Sequence, residues 1–198
     1  MINDTFSDLI DYPYEERHIE YKPNWKWDGV YKSELTKRII SMSNLRDGGW
    51  VILGKPEQAD RTCKAEGMSQ ENYDSFDQDH VKAYVYSHVE PPINLAVHKK
   101  DKDGKLFVGI KVQGFGSVPT ICTKNEGTVL RKGMIYVRSK GKPETVPIQN
   151  YSEMKEIIDI AIENGIREHI QKTQRAGLKL ELATEEESQY DEELKEIK

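Results

Sequence analysis

Apolar and polar positions follow different periods along this 198-residue chain, and the periods predict its elements. A short helix is expected over 4–10, within an N-terminal arm. HIEYK at 18–22 alternates, which predicts a strand. PNWKWDGVY after it is rich in turn formers and predicts a link. Over 32–45, Leu35, Ile39 and Met42 recur at helical spacing, and Gly48-Gly49 supply a left-handed stop. Trp50, Val51, Ile52 and Leu53 are bulky and continuous, the mark of a buried strand. Residues 55–76 are polar and predict a loop. A helix is expected over 77–89, opened by Asp77 as N-cap and closed before Pro91-Pro92.

The second half reads mostly as strands. Ile93, Leu95 and Val97 alternate, as do Leu106, Val108, Ile110 and Val112, with KDKDG between them as a hairpin turn. VPTICT and MIYVRS add two short strands. The clearest helix spans 150–175, where Asn150 and Glu153 have capping-box spacing and Met154, Ile157, Ile158 and Ala161 form the expected inward stripe. The order predicts an α+β fold with a mixed, partly antiparallel sheet packed with helices. Residues 1–175 are expected to form one domain, and residues 176–198 an acidic tail.

Charge changes this picture in one respect. The chain has 29 basic and 34 acidic residues, a net of −5. Residues 181–198 hold eight acids and two lysines, so 27 basic and 26 acidic residues remain and the body is near neutral. No apolar run approaches the roughly 18 residues of a membrane helix, so no membrane partner is expected. The N-terminus lacks the basic and apolar segments of a secretory leader. Cys63 and Cys122 belong to no metal or redox spacing and fit a reducing cytoplasm. His80 and His88 have no third ligand at a metal spacing and are expected at the surface.

Three stretches could carry chemistry. Gly49 to Lys55, GWVILGK, has the glycine and lysine spacing of a phosphate-binding loop. Pro56 then stands where a magnesium-binding hydroxyl is needed, and the intervening residues are strand formers. We read it as a strand fenced by glycines. Around 122–142, Lys124, Arg131, Lys132, Arg138, Lys140 and Lys142 face one acid, Glu126, and glycines interleave them. Cations there suit phosphates, and Tyr136 could stack on a base if exposed. The bland alternative is a solvated hairpin with charged rims. Finally, YEERHIEYK places Glu20 inside a strand with Lys22 on the same face. Glu20 is either half of a local pair or, with another acid such as Glu57 or Asp60, a ligand for a cation that activates water.

Taken together, HIEYK, the helix running into SMSNLRDGGWVILGK, the strand GKLFVGIKVQGFGSVPTIC and the segment VLRKGMIYVRSKGKPETV resemble the Schlafen AlbA_2 domain family over about residues 15–162. SMSNLRDGGWVILGK resembles the family's helix running into "A-N-x-x-x-G-G", and VLRKGMIYVRSKGKPETV resembles its "Y-x-R-x-G" region. The resemblance implies nucleic-acid handling, DNA or RNA, with phosphate contacts expected from Lys22, Arg131, Lys132, Arg138, Lys140 and Lys142. It also implies an alternative, a metal-dependent endoribonuclease using three carboxylates. Glu15 and Glu20 keep the family's five-residue offset, and Glu57 is the match for the third, so these would hold Mg²⁺ or Mn²⁺. The family's aspartates after the strand-ending glycine are replaced here by Lys55, Pro56 and Glu57. Its nucleases form a groove from two tandem copies, so a groove here requires a homodimer. A further alternative is a regulatory domain whose last helix and acidic tail engage protein partners.

Overall fold

The computed structural model describes residues 5–141 and 143–177. The elements are α1 (Phe6–Asp11), β1 (Ile19–Lys22), α2 (Gly29–Ser43), β2 (Gly49–Leu53), α3 (Gln70–Asp74), α4 (Gln78–Tyr86), β3 (Val89–Glu90), β4 (Leu95–Lys102), β5 (Lys105–Val112), β6 (Ile121–Cys122), β7 (Tyr136–Arg138), β8 (Thr145–Pro147) and α5 (Tyr151–Arg175). The four-stranded sheet has the order β1-β2-β5-β4. β1 runs parallel to β2, and β5 is antiparallel to both β2 and β4. The fold is therefore α+β with a mixed, partly antiparallel sheet. Two small ribbons, β3-β6 and β7-β8, flank it.

β2 is the centre, buried along its whole length. Alternation sends Val51 and Leu53 to one face, where α2 and α4 supply Leu35, Ile39, Val81 and Val85. Trp50 and Ile52 point to the other face, beneath α1, with Ile19, Tyr21, Leu9 and Cys63. Phe6 of α1 stacks on Trp50 with ring centroids 5.6 Å apart. It lies where a side chain on Gly109 would be, since a Cβ there would come within 2.5 Å of the Phe6 ring. The glycine pair after α2 is set by crowding as well as by φ. Gly48 sits at φ +72°, and a Cβ would meet the Val112 carbonyl oxygen at 2.0 Å; on Gly49 it would meet that of His18 at 2.5 Å.

Caps fall where side-chain chemistry places them. Asp77 accepts from the Asp79 and His80 N–H groups, and Asn150 from that of Glu153. The returning Glu153 carboxylate accepts from Gln149 N–H, one residue outside the usual capping-box partner. Asp103 and Gly104, at φ +54° and +74°, turn the β4–β5 hairpin in the mirror-image geometry that matches strand twist. The expected loop over 55–76 contains α3, capped by Ser69. The short helix of the arm begins at Phe6 rather than residue 4, and residue 4 lies outside the described residues. The link after β1 gives way to α2 at Gly29. His88, expected at the surface, is buried, with Nδ1 against the Ser87 hydroxyl and the Tyr84 carbonyl. Both thiols are free and buried.

The inward face of α5 differs from the expected stripe. Ile157 and Ile160 are buried against Phe115 and Val137, with Ala161 packed beside them. Met154 and Ile158 face outward. Isoleucines occur on several sides of this helix, so its apolar pattern does not select one face.

Candidate functional site

Burial of β1 carries Glu20 inward between Ile19 and Tyr21. A lone carboxylate there would be costly, and the fold surrounds it with cations. Glu20 Oε1 accepts from Lys22 Nζ at 2.8 Å and from Arg38 Nε at 2.6 Å. Oε2 accepts from Arg138 Nη1 at 2.5 Å. Burial pushes the Glu20 carboxyl up, but Lys22, Arg138 and Arg38 outweigh it and hold it below the usual range. Arg38 also donates to Glu34, and Lys22 lies 3.7 Å from Glu15. Three carboxylates, Glu15, Glu20 and Glu34, thus balance Lys22, Arg38 and Arg138.

Arg138 does more than neutralise. It is fully buried, and donates from Nε to the Arg17 carbonyl at 3.1 Å and from Nη2 to that of Glu16 at 3.2 Å. Arg17 returns a bond from Nε to the Arg138 carbonyl at 3.0 Å, and its two Nη atoms grip Glu156 of α5 at 2.7 and 2.8 Å. Arg138 therefore pins β7 to β1, and the expected phosphate contact from it is corrected: its guanidinium is inside. Tyr136 is likewise buried, its hydroxyl held by Arg131 N–H and the Val129 carbonyl.

Of the three expected metal ligands, Glu15 and Glu20 meet across Lys22, at 3.7 and 2.8 Å from its Nζ. Glu15 and Glu57 line one cavity of about 470 Å³ with Tyr14, Arg61, Pro143 and Glu144. Glu20 does not line this cavity, and both its oxygens are bonded to cations. Glu15 accepts from Tyr21 N–H at 2.8 Å. Burial raises its carboxyl, an effect that Lys22 partly opposes. Among the described residues no three His, Cys, Asp or Glu side chains are placed to hold a metal ion. A metal on Glu20 would have to displace cations already bonded to it, so the carboxylate set as arranged does not fit Mg²⁺ or Mn²⁺.

The lysine of the GWVILGK stretch points inward too. Lys55 is fully buried, donates to the Leu9 carbonyl at 3.2 Å and to that of Tyr12, and lies 3.9 Å from the centre of the Tyr21 ring. It closes the C-terminal end of α1. Burial pushes its ammonium down to about 8.

The remaining cations divide into two groups. Arg131 and Lys132 are exposed on the turn before β7 and have no carboxylate partner among the described residues. With Lys37 of α2, Arg131 borders a cavity of about 280 Å³ completed by Thr128, Val129, Met134, Tyr136 and Pro147. Lys37 Nζ sits 5.4 Å over the Tyr136 ring. At the other end of β7, Lys140 is exposed and lies 3.3 Å from Glu156. Beyond it, Arg17, His18, Arg46 and Lys111 line a cavity of about 420 Å³ with Asp47 and Glu156. Sequence reasoning missed Lys37, Arg17, Arg46 and Lys111, which come from four separate segments and form no local cluster. Lys142 lies outside the described residues.

Asn44, at the end of α2, donates to the Thr120 and Tyr136 carbonyls, each at 2.9 Å, and accepts from Thr120 N–H at 2.9 Å. The asparagine-to-glycine turn thus fastens the β6 and β7 region to the sheet. Among solved structures, the DIP2311 protein from Corynebacterium diphtheriae is similar at 14% identity and a TM-score of 0.47, over 71% of this chain and 23% of that one. The N-terminal domain of a RecG-related protein from Nitrosomonas europaea is similar at 19% identity and a TM-score of 0.43, over 63% of this chain and 86% of that domain. No curated protein matches the sequence. The Schlafen AlbA_2 family model matches residues 15–147, which contain the Glu20 cluster, the asparagine–glycine turn and the exposed basic turn. That span is well over half of the molecule, and the chain belongs to the Schlafen AlbA_2 family.

Proposed function

We propose that the chain is a nucleic-acid-binding module whose phosphate contacts centre on Arg131 and Lys132, with Lys37 beside them. The observation that carries this reading is their condition: they are exposed or half-buried cations, and no carboxylate among the described residues neutralises them. Family membership supports the same reading. Lys140 would extend the contact along the molecule, sharing its charge with Glu156. Lys22 and Arg138 hold Glu20 and take structural roles. Because the contacts would be with phosphates, the reading covers DNA and RNA alike and assigns no base preference.

The carboxylates give the hydrolytic alternative less support, since Glu20 is committed to three cations. The test is fluorescence anisotropy with labelled single-stranded DNA, duplex DNA and hairpin RNA over a salt series. Binding that weakens steeply with salt is expected, because each neutralised phosphate releases counterions. Absence of binding to all three at low salt would overturn the proposal.

A further inference from the structure

The outward face of α5 is apolar in a regular way. Met154, Ile158, Ile162, Ile166 and Ile170 recur every fourth residue and are 36–56% exposed. No described element covers them. A strict four-residue repeat is a ridge, and such ridges pack into the matching grooves of another helix at a crossing angle of about −50°. Beside it Gly165, with no side chain, leaves a shallow groove, next to Ala161, which packs partly against the Phe115 and Ile160 cluster. Gly165 lies mid-helix, where glycine costs stability relative to alanine. Nothing inside the molecule requires it: a Cβ there would meet only the Ser117 Cβ, at an ordinary 3.8 Å.

We infer that α5 is the interface of a twofold-symmetric homodimer, with antiparallel α5 helices crossing near Ile162. A second copy supplies the same ridge and the same groove, as a twofold interface requires. Charge selects the direction. Residues 151–164 carry four acids and one lysine, and residues 165–175 three cations and one acid. Antiparallel pairing sets each acidic half against the partner's basic half, and parallel pairing sets like against like. Glu153 is buried at the cap, and Glu156, Asp159 and Glu163 already have cations of their own chain in Arg17, Lys155 and Arg46, so a partner would share these acids. Arg167 and Arg175 have no carboxylate within ion-pair distance among the described residues, and these are the charges an antiparallel partner would answer. The inference is independent of nucleic-acid binding.

Sedimentation equilibrium on the full 198-residue chain at micromolar concentration tests it. The expected mass is twice the 22.8 kDa of one chain. Ile162→Glu is expected to return it to one chain with an unchanged circular dichroism spectrum, because an exposed position solvates the new charge. A monomeric wild-type chain, whether residues 178–198 or another protein covers the ridge, would overturn the inference. So would a dimer that persists in Ile162→Glu. Cysteine cross-linking reads the direction, as both native thiols are buried. Ile158→Cys is expected to cross-link with Ile166→Cys and not with itself; self-linkage of Ile158→Cys would overturn the antiparallel arrangement.

Discussion

The two ends of the segment from Arg131 to Arg138 hold the same kinds of side chain in opposite circumstances. Arg138 is fully buried, with one carboxylate and two carbonyls as acceptors. Arg131 and Lys132, only a few residues earlier, are in solvent with no carboxylate partner among the described residues. Position on β7 decides this. Arg138 projects from the ribbon towards β1, where Glu20 waits, and the turn before β7 projects away. An arginine in a basic run is therefore not by itself a phosphate contact. Its worth as one depends on whether the protein has already spent its donors internally.

The comparison breaks most visibly at Glu20. Glu20→Ala leaves Lys22, Arg38 and Arg138 without their shared counter-charge. Breaking a buried ion pair from one side costs about 3–5 kcal/mol. For a chain of this size that lowers the Tm by roughly 6–20 °C, which a calorimetric scan would show. A variant as stable as the wild type would mean that the cations hold β1 and β7 without it.

The acid limb of stability sharpens the same point. In the folded state the Glu20 carboxyl lies below its ordinary 4.5, held there by the three cations against burial. The unfolded chain therefore takes up its proton first as pH falls. The stabilisation is complete above about pH 4.5, and is lost as pH drops through the lower folded value. Glu20→Gln is expected to flatten that part of the stability–pH curve, measured by urea unfolding. An acid limb of the same steepness in both proteins would assign it to other carboxylates.

Asn44 gives a smaller effect. Asn44→Ala removes three buried hydrogen bonds and strands the Thr120 N–H, at a cost of about 1–3 kcal/mol. Urea unfolding should show a lower midpoint with an unchanged slope. The smallest effect on stability is expected at the exposed turn, where Arg131→Ala with Lys132→Ala should stay within about 0.5 kcal/mol of the wild type.

Local chemistry made much of the fold legible. β2 follows from four consecutive bulky residues between glycines, the starts of α4 and α5 from Asp77 and Asn150, and the β4–β5 hairpin from Asp103-Gly104. Strands of two or three residues such as β3 and β8 carry too few positions to show a period. The inward face of α5 was hidden because isoleucines occur at 157, 158, 160 and 162. The site was legible only in part. Glu20 stood out as an acid within a strand, and Lys22 is its near neighbour. Its other partners, Arg38 and Arg138, lie on α2 and β7, and pairings across that much chain leave no local pattern. The inward turn of Arg138, Tyr136 and Lys55 is a tertiary outcome for the same reason.

The central claim is that the exposed turn, not the buried cluster, meets the sugar–phosphate chain. The direct measurement is the salt dependence of oligonucleotide affinity in wild type and in the Arg131→Ala, Lys132→Ala double variant. The account predicts weaker binding at every salt concentration and a log–log slope shallower by about 1.4–1.8, the loss of two phosphate contacts. Equal affinities and equal slopes in the two proteins would contradict it.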